Sequence, residues 1–185
     1  MAEDFRLLAG VIAAHPRRKV HGRTRLQKTV KLLQSLGLPT RFIYSIHFYG
    51  PYSEDLQACI GLLEQLGLAR EGQRVSTDSD NFYYIVEATD AADPELVKDY
   101  QWAIDLMEQA PVDILELAAT YQAFRELGET REAALERLKR KKAKKCVGNN
   151  VDHALELRWH LKLEPADPKP SINIDASLRR ILDNL

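Results

Sequence analysis

The chain is 185 residues long, with 45% apolar residues, 29% charged residues and a formal net charge of −1, a composition that suits a soluble globular protein and excludes global disorder. That length holds one good core, or a small domain with a helical extension. The opening "MAEDFRLLAG" has acids where a secretory signal needs bases and an apolar run too short to span a membrane, and Cys59 and Cys146 lie far apart without a pairing pattern, so a reduced, cytoplasmic setting with no membrane contact is expected.

A first helix is predicted from about Glu3 to His15, with Phe5, Leu8, Val11 and Ile12 on one face and Pro16 as its stop. "RRKVHG" reads as a basic loop. Thr24 and Gln27 have capping-box spacing at the start of a second helix. Its expected buried stripe is Leu26, Val30, Leu33 and Leu36, with Lys28 and Lys31 facing outward and Gly37 and Pro39 ending it.

From Phe42 to Tyr49 the pattern alternates as in a strand, with Phe42, Tyr44, Ile46 and Phe48 forming one apolar face. Gly50-Pro51 is expected to turn the chain, and Ser53 to cap a third helix with the stripe Leu56, Cys59, Ile60, Leu63 and Leu66. Glu54 and Asp55 suit the positive end of that helix dipole. "LAREGQRVSTDSDNFYYIVEAT" then reads as a β-hairpin with a polar tip from Ser76 to Asn81. Helix, helix, strand, helix and hairpin make a winged-helix-like order that ends near Thr89.

Further helices are predicted to start at Asp93-Pro94, at Pro111 and at Thr130. The Pro111 helix turns Ile114, Leu115, Ala118, Tyr121 and Leu127 inward and stops at Gly128; the Thr130 helix runs into "LERLKRKKAKKC". Gly148-Asn149-Asn150 is a break, and "VDHALELRWHLKL" forms another helix. Pro165, Pro168 and Pro170 mark a linker, and Leu178, Ile181, Leu182 and Leu185 give a short last helix an apolar edge. The predicted fold class is therefore α+β. A winged-helix-like domain with a small β-sheet spans 1–90, an all-α region spans 91–163, and a Pro-rich linker with a short C-terminal helix spans 164–185.

Charge is strongly segregated along this plan. Residues 1–41 hold nine Lys/Arg against two Asp/Glu, residues 42–130 four against seventeen, and residues 131–145 eight against two. Two basic islands thus flank an acidic middle, and they either neutralise it in the fold or meet an anionic partner.

Two phrases, "GRTRLQKTVKLLQSLG" (Gly22 to Gly37) and "FYGPYSEDL" (Phe48 to Leu56), occur in order and together. This pairing resembles the YwgA-like family of uncharacterised bacterial proteins. More distantly it is similar to the Panacea domain of SocA-type antitoxins, where an L-Q-K-L helix precedes a Y-G-P corner. The resemblance covers roughly residues 3–90. It implies a winged-helix-like domain that binds proteins or nucleic acid rather than catalysing a reaction. Most of the motif is what a fold needs; Arg23, Arg25, Lys28 and Tyr52 are the positions that such needs explain least.

No phosphate-loop, dinucleotide, zinc or nucleophile-elbow pattern is present. Cys146, His153 and His160 are spaced by seven residues, about 10 Å apart on a helix, too far to share a metal. No enzyme activity, cofactor or metal is therefore expected. The sharpest polar feature is "RLKRKKAKK", Arg137 to Lys145, with seven basic residues in nine. Its natural partner is a phosphate backbone, read without sequence preference. Aromatic interleaving is absent, so single-strand base stacking is not supported.

The expected function is non-enzymatic nucleic-acid binding, duplex DNA foremost, in a regulatory or mobile-element defence setting. Phosphate contacts are assigned to Arg17, Arg18, Lys19, Arg23, Arg25 and Lys28, and separately to Lys139, Arg140, Lys141, Lys142, Lys144 and Lys145. The alternative is an antitoxin-like adaptor that meets a partner protein encoded nearby through Tyr52, Glu54 and Asp55 of the acidic third helix and through the C-terminal helices. A homodimer formed through the helical half is a third expectation.

Overall fold

The computed structural model describes residues 2–75 and 82–163. Among these residues, seven α-helices and five short strands make a mixed α+β fold. Helix α1 (Ala2–Ala14) buries Leu8, Val11 and Ile12. Its outer side lies so close to the segment 93–97 that a Cβ on Gly10 would stand 2.9 Å from the Asp93 carbonyl oxygen, which explains a glycine in mid-helix. Strand β1 (Lys19–His21) follows a turn in which Arg17 and Arg18 both have positive φ. "RRKVHG" is thus half strand rather than wholly loop: Val20 is fully buried opposite Val86, a single apolar position too short for periodicity to register.

Helix α2 (Arg23–Ser35) buries Leu26, Val30 and Leu33 as expected, but also Gln27, Lys28, Thr29, Lys31 and Leu32. Lys28 and Lys31 do not face outward, because α5 packs across the side of α2 that the apolar stripe leaves polar. The Thr24–Gln27 capping box is absent as well: Gly22 is the N-cap residue, without a side-chain cap, and the Gln27 amide bonds to Ser53 instead.

The expected strand from Phe42 to Tyr49 shrinks to β2 (Ser45–His47), although Phe42 is buried and Ile43 exposed in the alternating sense. Phe48 does not join that buried face; it is 78% exposed. The chain reverses at Phe48-Tyr49, so that Gly50-Pro51, rather than turning, belongs to β3 (Gly50–Tyr52), antiparallel to β2 with Ile46 opposite Pro51.

Ser53 caps α3 (Glu54–Gln65), its hydroxyl accepting from Leu56 N at 3.3 Å. Leu56, Ile60 and Leu63 are buried, Cys59 half-buried, and Leu66 at the end of the stripe is exposed. Strands β4 (Ala69–Val75) and β5 (Phe82–Ala88) form the expected hairpin, whose tip from Ser76 to Asn81 lies outside the described residues. Together with β1 they make an antiparallel sheet in the order β1-β5-β4.

Residues 91–163 contain only helices among their regular elements. A 3-10 segment (Pro94–Tyr100), capped by Asp93, leads into α4 (Gln101–Gln109), then α5 (Val112–Glu126), α6 (Arg131–Lys141), capped by Thr130, and α7 (Asn150–His160). Helix α5 is the central element, buried continuously from Ile114 to Phe124 and packed against α2, β3, α6 and α7. Leu127, read as an inward position, is exposed, since the helix ends at Glu126 and Gly128 takes a positive φ. One hydrophobic core joins Leu8, Leu26 and Leu56 to Leu115, Phe124, Leu138 and Leu157. The linker and last helix expected over 164–185 lie outside the described residues.

Candidate functional site

The two sequence phrases meet in space. From α2, the Gln27 side-chain amide donates to Ser53 O at 2.9 Å and its carbonyl accepts from Ser53 N at 2.9 Å. One residue on, Lys28 Nζ donates to Pro51 O at 2.8 Å. The Phe48–Pro51 reversal is therefore held from below by two consecutive side chains of α2. It is pressed onto α5 as well: Gly50 has φ +83°, and a Cβ there would fall 2.4 Å from Thr120 Oγ1. Only glycine meets both the left-handed backbone and that approach.

Beneath this turn lies a buried charge cluster. Glu116 on α5 is fully buried and accepts from Lys142 Nζ at 2.6 Å and from Lys145 Nζ at 2.8 Å, one ammonium on each carboxylate oxygen. Lys142 also donates to Phe48 O, and Lys145 bridges to Asp113 at 2.7 Å. Lys28 is the third ammonium nearby. Burial pushes its pKa down to about 8; the field of Glu116 works against this fall, while Lys142 and Lys145 add to it. Burial also acts to lower the Lys145 pKa, but hydrogen bonds to Asp113 and Glu116 outweigh it and leave that group raised. Three ammoniums face two carboxylates, so the cluster is one positive charge in excess.

A cavity of about 270 Å³ opens from this cluster, lined by Phe48, Glu116, Arg140, Lys141, Lys142, Ala143, Lys144 and Lys145. Lys142 Nζ lies 5.8 Å from the Phe48 ring centroid, and Tyr49 stands edge-on to Phe48 with centroids 5.1 Å apart. An exposed aromatic side chain and a set of exposed cations thus share one concave surface.

The other predicted site residues have varied surroundings. Arg18 donates to the Thr89 and Ala92 carbonyls at 2.6 and 2.7 Å, and Lys19 pairs with Glu87 at 3.1 Å. Arg23 forks onto Glu71 and stacks 3.6 Å over Tyr84. Arg25 caps the end of α4, donating to Met107 O, Glu108 O and Ala110 O. Arg17 is exposed. In the second island Lys142 and Lys145 turn inward to Glu116, whereas Lys139, Arg140, Lys141 and Lys144 are exposed and make no side-chain hydrogen bond or ion pair among the described residues. Lys28 is thus the N-terminal candidate that lies with the second island. Tyr52 is half-buried against His47, while Glu54 and Asp55 are exposed in the first turn of α3.

Glu116 and Phe48 escaped the sequence reading as site residues. Their signals were a carboxylate, Glu116, set inside the run "ILELAATYQAF", and an aromatic pair beside a glycine. Among the described residues no group of three or more His, Cys, Asp and Glu is placed to hold a metal ion, and no helix is long and apolar enough to cross a membrane.

No family model and no solved structure matches the chain. It is 30% identical over 149 residues to the uncharacterized protein YwgA of Bacillus subtilis (strain 168), an alignment covering 78% of this chain and 89% of that protein. The likeness reaches well beyond the first half of the chain, so helices that carry Glu116 and the lysine run fall within reach of it. On that relationship, the chain belongs to the YwgA family.

Proposed function

We propose that this protein binds nucleic acid without catalysing a reaction, in a regulatory or mobile-element defence role, through the exposed lysine-rich end of α6. The observation that carries this reading is the contrast between the two islands. Arg18, Lys19, Arg23 and Arg25 are spent on backbone carbonyls and acids of the same fold. Lys139, Arg140, Lys141 and Lys144 are exposed, the last three lining a cavity, and make no ion pair among the described residues. Cations so placed contact phosphate without reading sequence.

A winged-helix-like arrangement supports the reading. In favour of it, α1, β1, α2, α3, β4 and β5 follow one another with only the β2–β3 pair inserted between α2 and α3, and β1 pairs with the last strand of the hairpin. Its usual reading helix would be α3, which carries no Lys or Arg and opens on Glu54 and Asp55; the contacts are assigned to α6 instead. Electrophoretic mobility shifts at low and moderate salt test this. The wild type is expected to shift DNA at low salt, and replacing Lys139, Lys141 and Lys144 by Glu to abolish the shift. No shift by the wild type at any salt refutes the reading.

A second reading, an antitoxin-like protein adaptor, is favoured by a different surface. Leu62 and Leu66 are 41% and 48% exposed on α3, and a cavity of about 460 Å³ beside Leu62 is lined by Asp4, Arg41, Phe42, Asp55 and Cys59. Co-purification with the product of a neighbouring gene, in a complex that DNA does not compete away, decides for the adaptor.

A further inference from the structure

We infer that the cavity between Phe48 and the end of α6 takes single-stranded nucleic acid in preference to duplex, one base stacking on Phe48 and its flanking phosphates lying on Arg140, Lys141 and Lys144. The inference rests on the nucleic-acid reading and names the form of substrate. Within the lysine run itself there is no aromatic residue. The fold supplies one from far along the chain: Lys142 ties α6 to the Phe48 carbonyl and holds its own ammonium 5.8 Å from the Phe48 ring.

Three features select a single strand. Phe48 is 78% exposed although its own carbonyl accepts from Lys142 and the Pro51 carbonyl just beyond the turn accepts from Lys28. An aromatic face held in water at a fixed place is a stacking platform, and only an unpaired base has a free face to offer it. The cations around it lie in a concavity of about 270 Å³, which suits one splayed nucleotide better than the convex backbone of a duplex. Finally, among the described residues the only carboxylate lining the cavity, Glu116, is neutralised by Lys142 and Lys145, so its charge does not repel a phosphate.

The test is fluorescence anisotropy at low salt with a labelled oligothymidylate and a labelled duplex of equal length. Wild-type protein is expected to bind the single strand more tightly. Phe48→Ala is expected to weaken single-strand binding about tenfold, the scale of one stacked base, and to leave duplex binding unchanged. Phe48→Trp is expected to retain single-strand binding and to show quenching of the added indole, read as the difference from wild-type emission. Because the Phe48 side chain is exposed, neither variant removes a core contact, and circular dichroism checks that both fold. Unchanged single-strand binding by Phe48→Ala, or an equal loss on both probes, overturns the inference while the nucleic-acid reading stands. Failure of wild-type protein to bind either probe overturns both.

Discussion

Gln27 and Ser53 exchange two hydrogen bonds of 2.9 Å, the Gln27 side chain pairing with both polar backbone groups of a residue 26 positions away. The pair is buried at both ends. It fixes the start of α3 to the first turns of α2, and with it the strand and reversal that carry Phe48. Gln27→Ala leaves the Ser53 N–H and C=O buried without these partners, and is expected to cost about 2–4 kcal/mol in urea unfolding. Gln27→Glu keeps the acceptor for Ser53 N–H but sets a second oxygen against the Ser53 carbonyl in a buried site, so near neutral pH it is expected to cost at least as much as Gln27→Ala.

Glu116 is the keystone of the charge cluster. Glu116→Gln removes the buried negative charge while Lys142 keeps its place at 5% exposure, and breaking a buried pair from one side costs about 3–5 kcal/mol. The loss should be smaller at alkaline pH. The Glu116 field raises the Lys28 pKa, so without it Lys28 gives up its proton earlier and the strain of the unmatched charge is relieved. Chemical denaturation of both proteins across pH 7 to 10 measures the difference.

Lys28 makes stability depend on pH in a definite sense. Its folded pKa of about 8 lies below the ordinary value of 10.5. Between those values the unfolded chain holds a proton that the folded chain has released, so stability rises with pH through this window. The contribution is absent below about pH 8 and complete above 10.5, approaching about 3 kcal/mol. Lys28→Met removes the titration; relative to wild type it is expected to do best near neutrality and worst above pH 10. A difference that does not change with pH would show that Lys28 titrates normally.

Gly50 tests the packing of the reversal on α5. Gly50→Ala meets Thr120 Oγ1 at 2.4 Å and holds alanine at φ +83°. The left-handed backbone alone costs about 1–2 kcal/mol, and the overlap is expected to bring the total to about 3 kcal/mol. Thr120→Ala removes the clashing oxygen, so Gly50→Ala made in that background should cost only the backbone share. A double-mutant cycle by thermal or urea unfolding separates the two.

The elements were legible where one residue face met one core. α1 and α3 announce themselves by spacing, and Ser53, Asp93 and Thr130 act as caps where they were read as starts. What periodicity missed was burial from two sides. α2 shows an amphipathic stripe, yet α5 covers its polar side, so Lys28 and Lys31 are buried by tertiary packing that no local pattern records. Lys31 finds Glu126 and Lys28 finds Pro51 O; both partners are remote in sequence. The same holds for the candidate site. Its cations were visible as a run, but the aromatic residue beside them comes from Phe48, 94 positions before Lys142. A fold is needed to make that neighbour.

The acidic start of α3 gives the sharpest separation of shape from mode of binding. Glu54 and Asp55 are exposed and stand in the first helical turn behind the Ser53 cap. Their interaction with the helix dipole is worth about 0.3–1 kcal/mol each, so Glu54→Lys with Asp55→Lys is expected to lower stability by about 1–2 kcal/mol without unfolding the protein. If α6 and Phe48 carry the binding surface, the double variant keeps its affinity for oligothymidylate or gains slightly, since two repulsive charges become attractive at long range. A helix that inserted into a groove would behave otherwise: Glu54 and Asp55 would be at the interface, and their replacement would change discrimination between duplex sequences. Measuring the double variant against a single strand and two unrelated duplexes decides it. Loss of all binding in a folded double variant would return α3 to the role of reading helix.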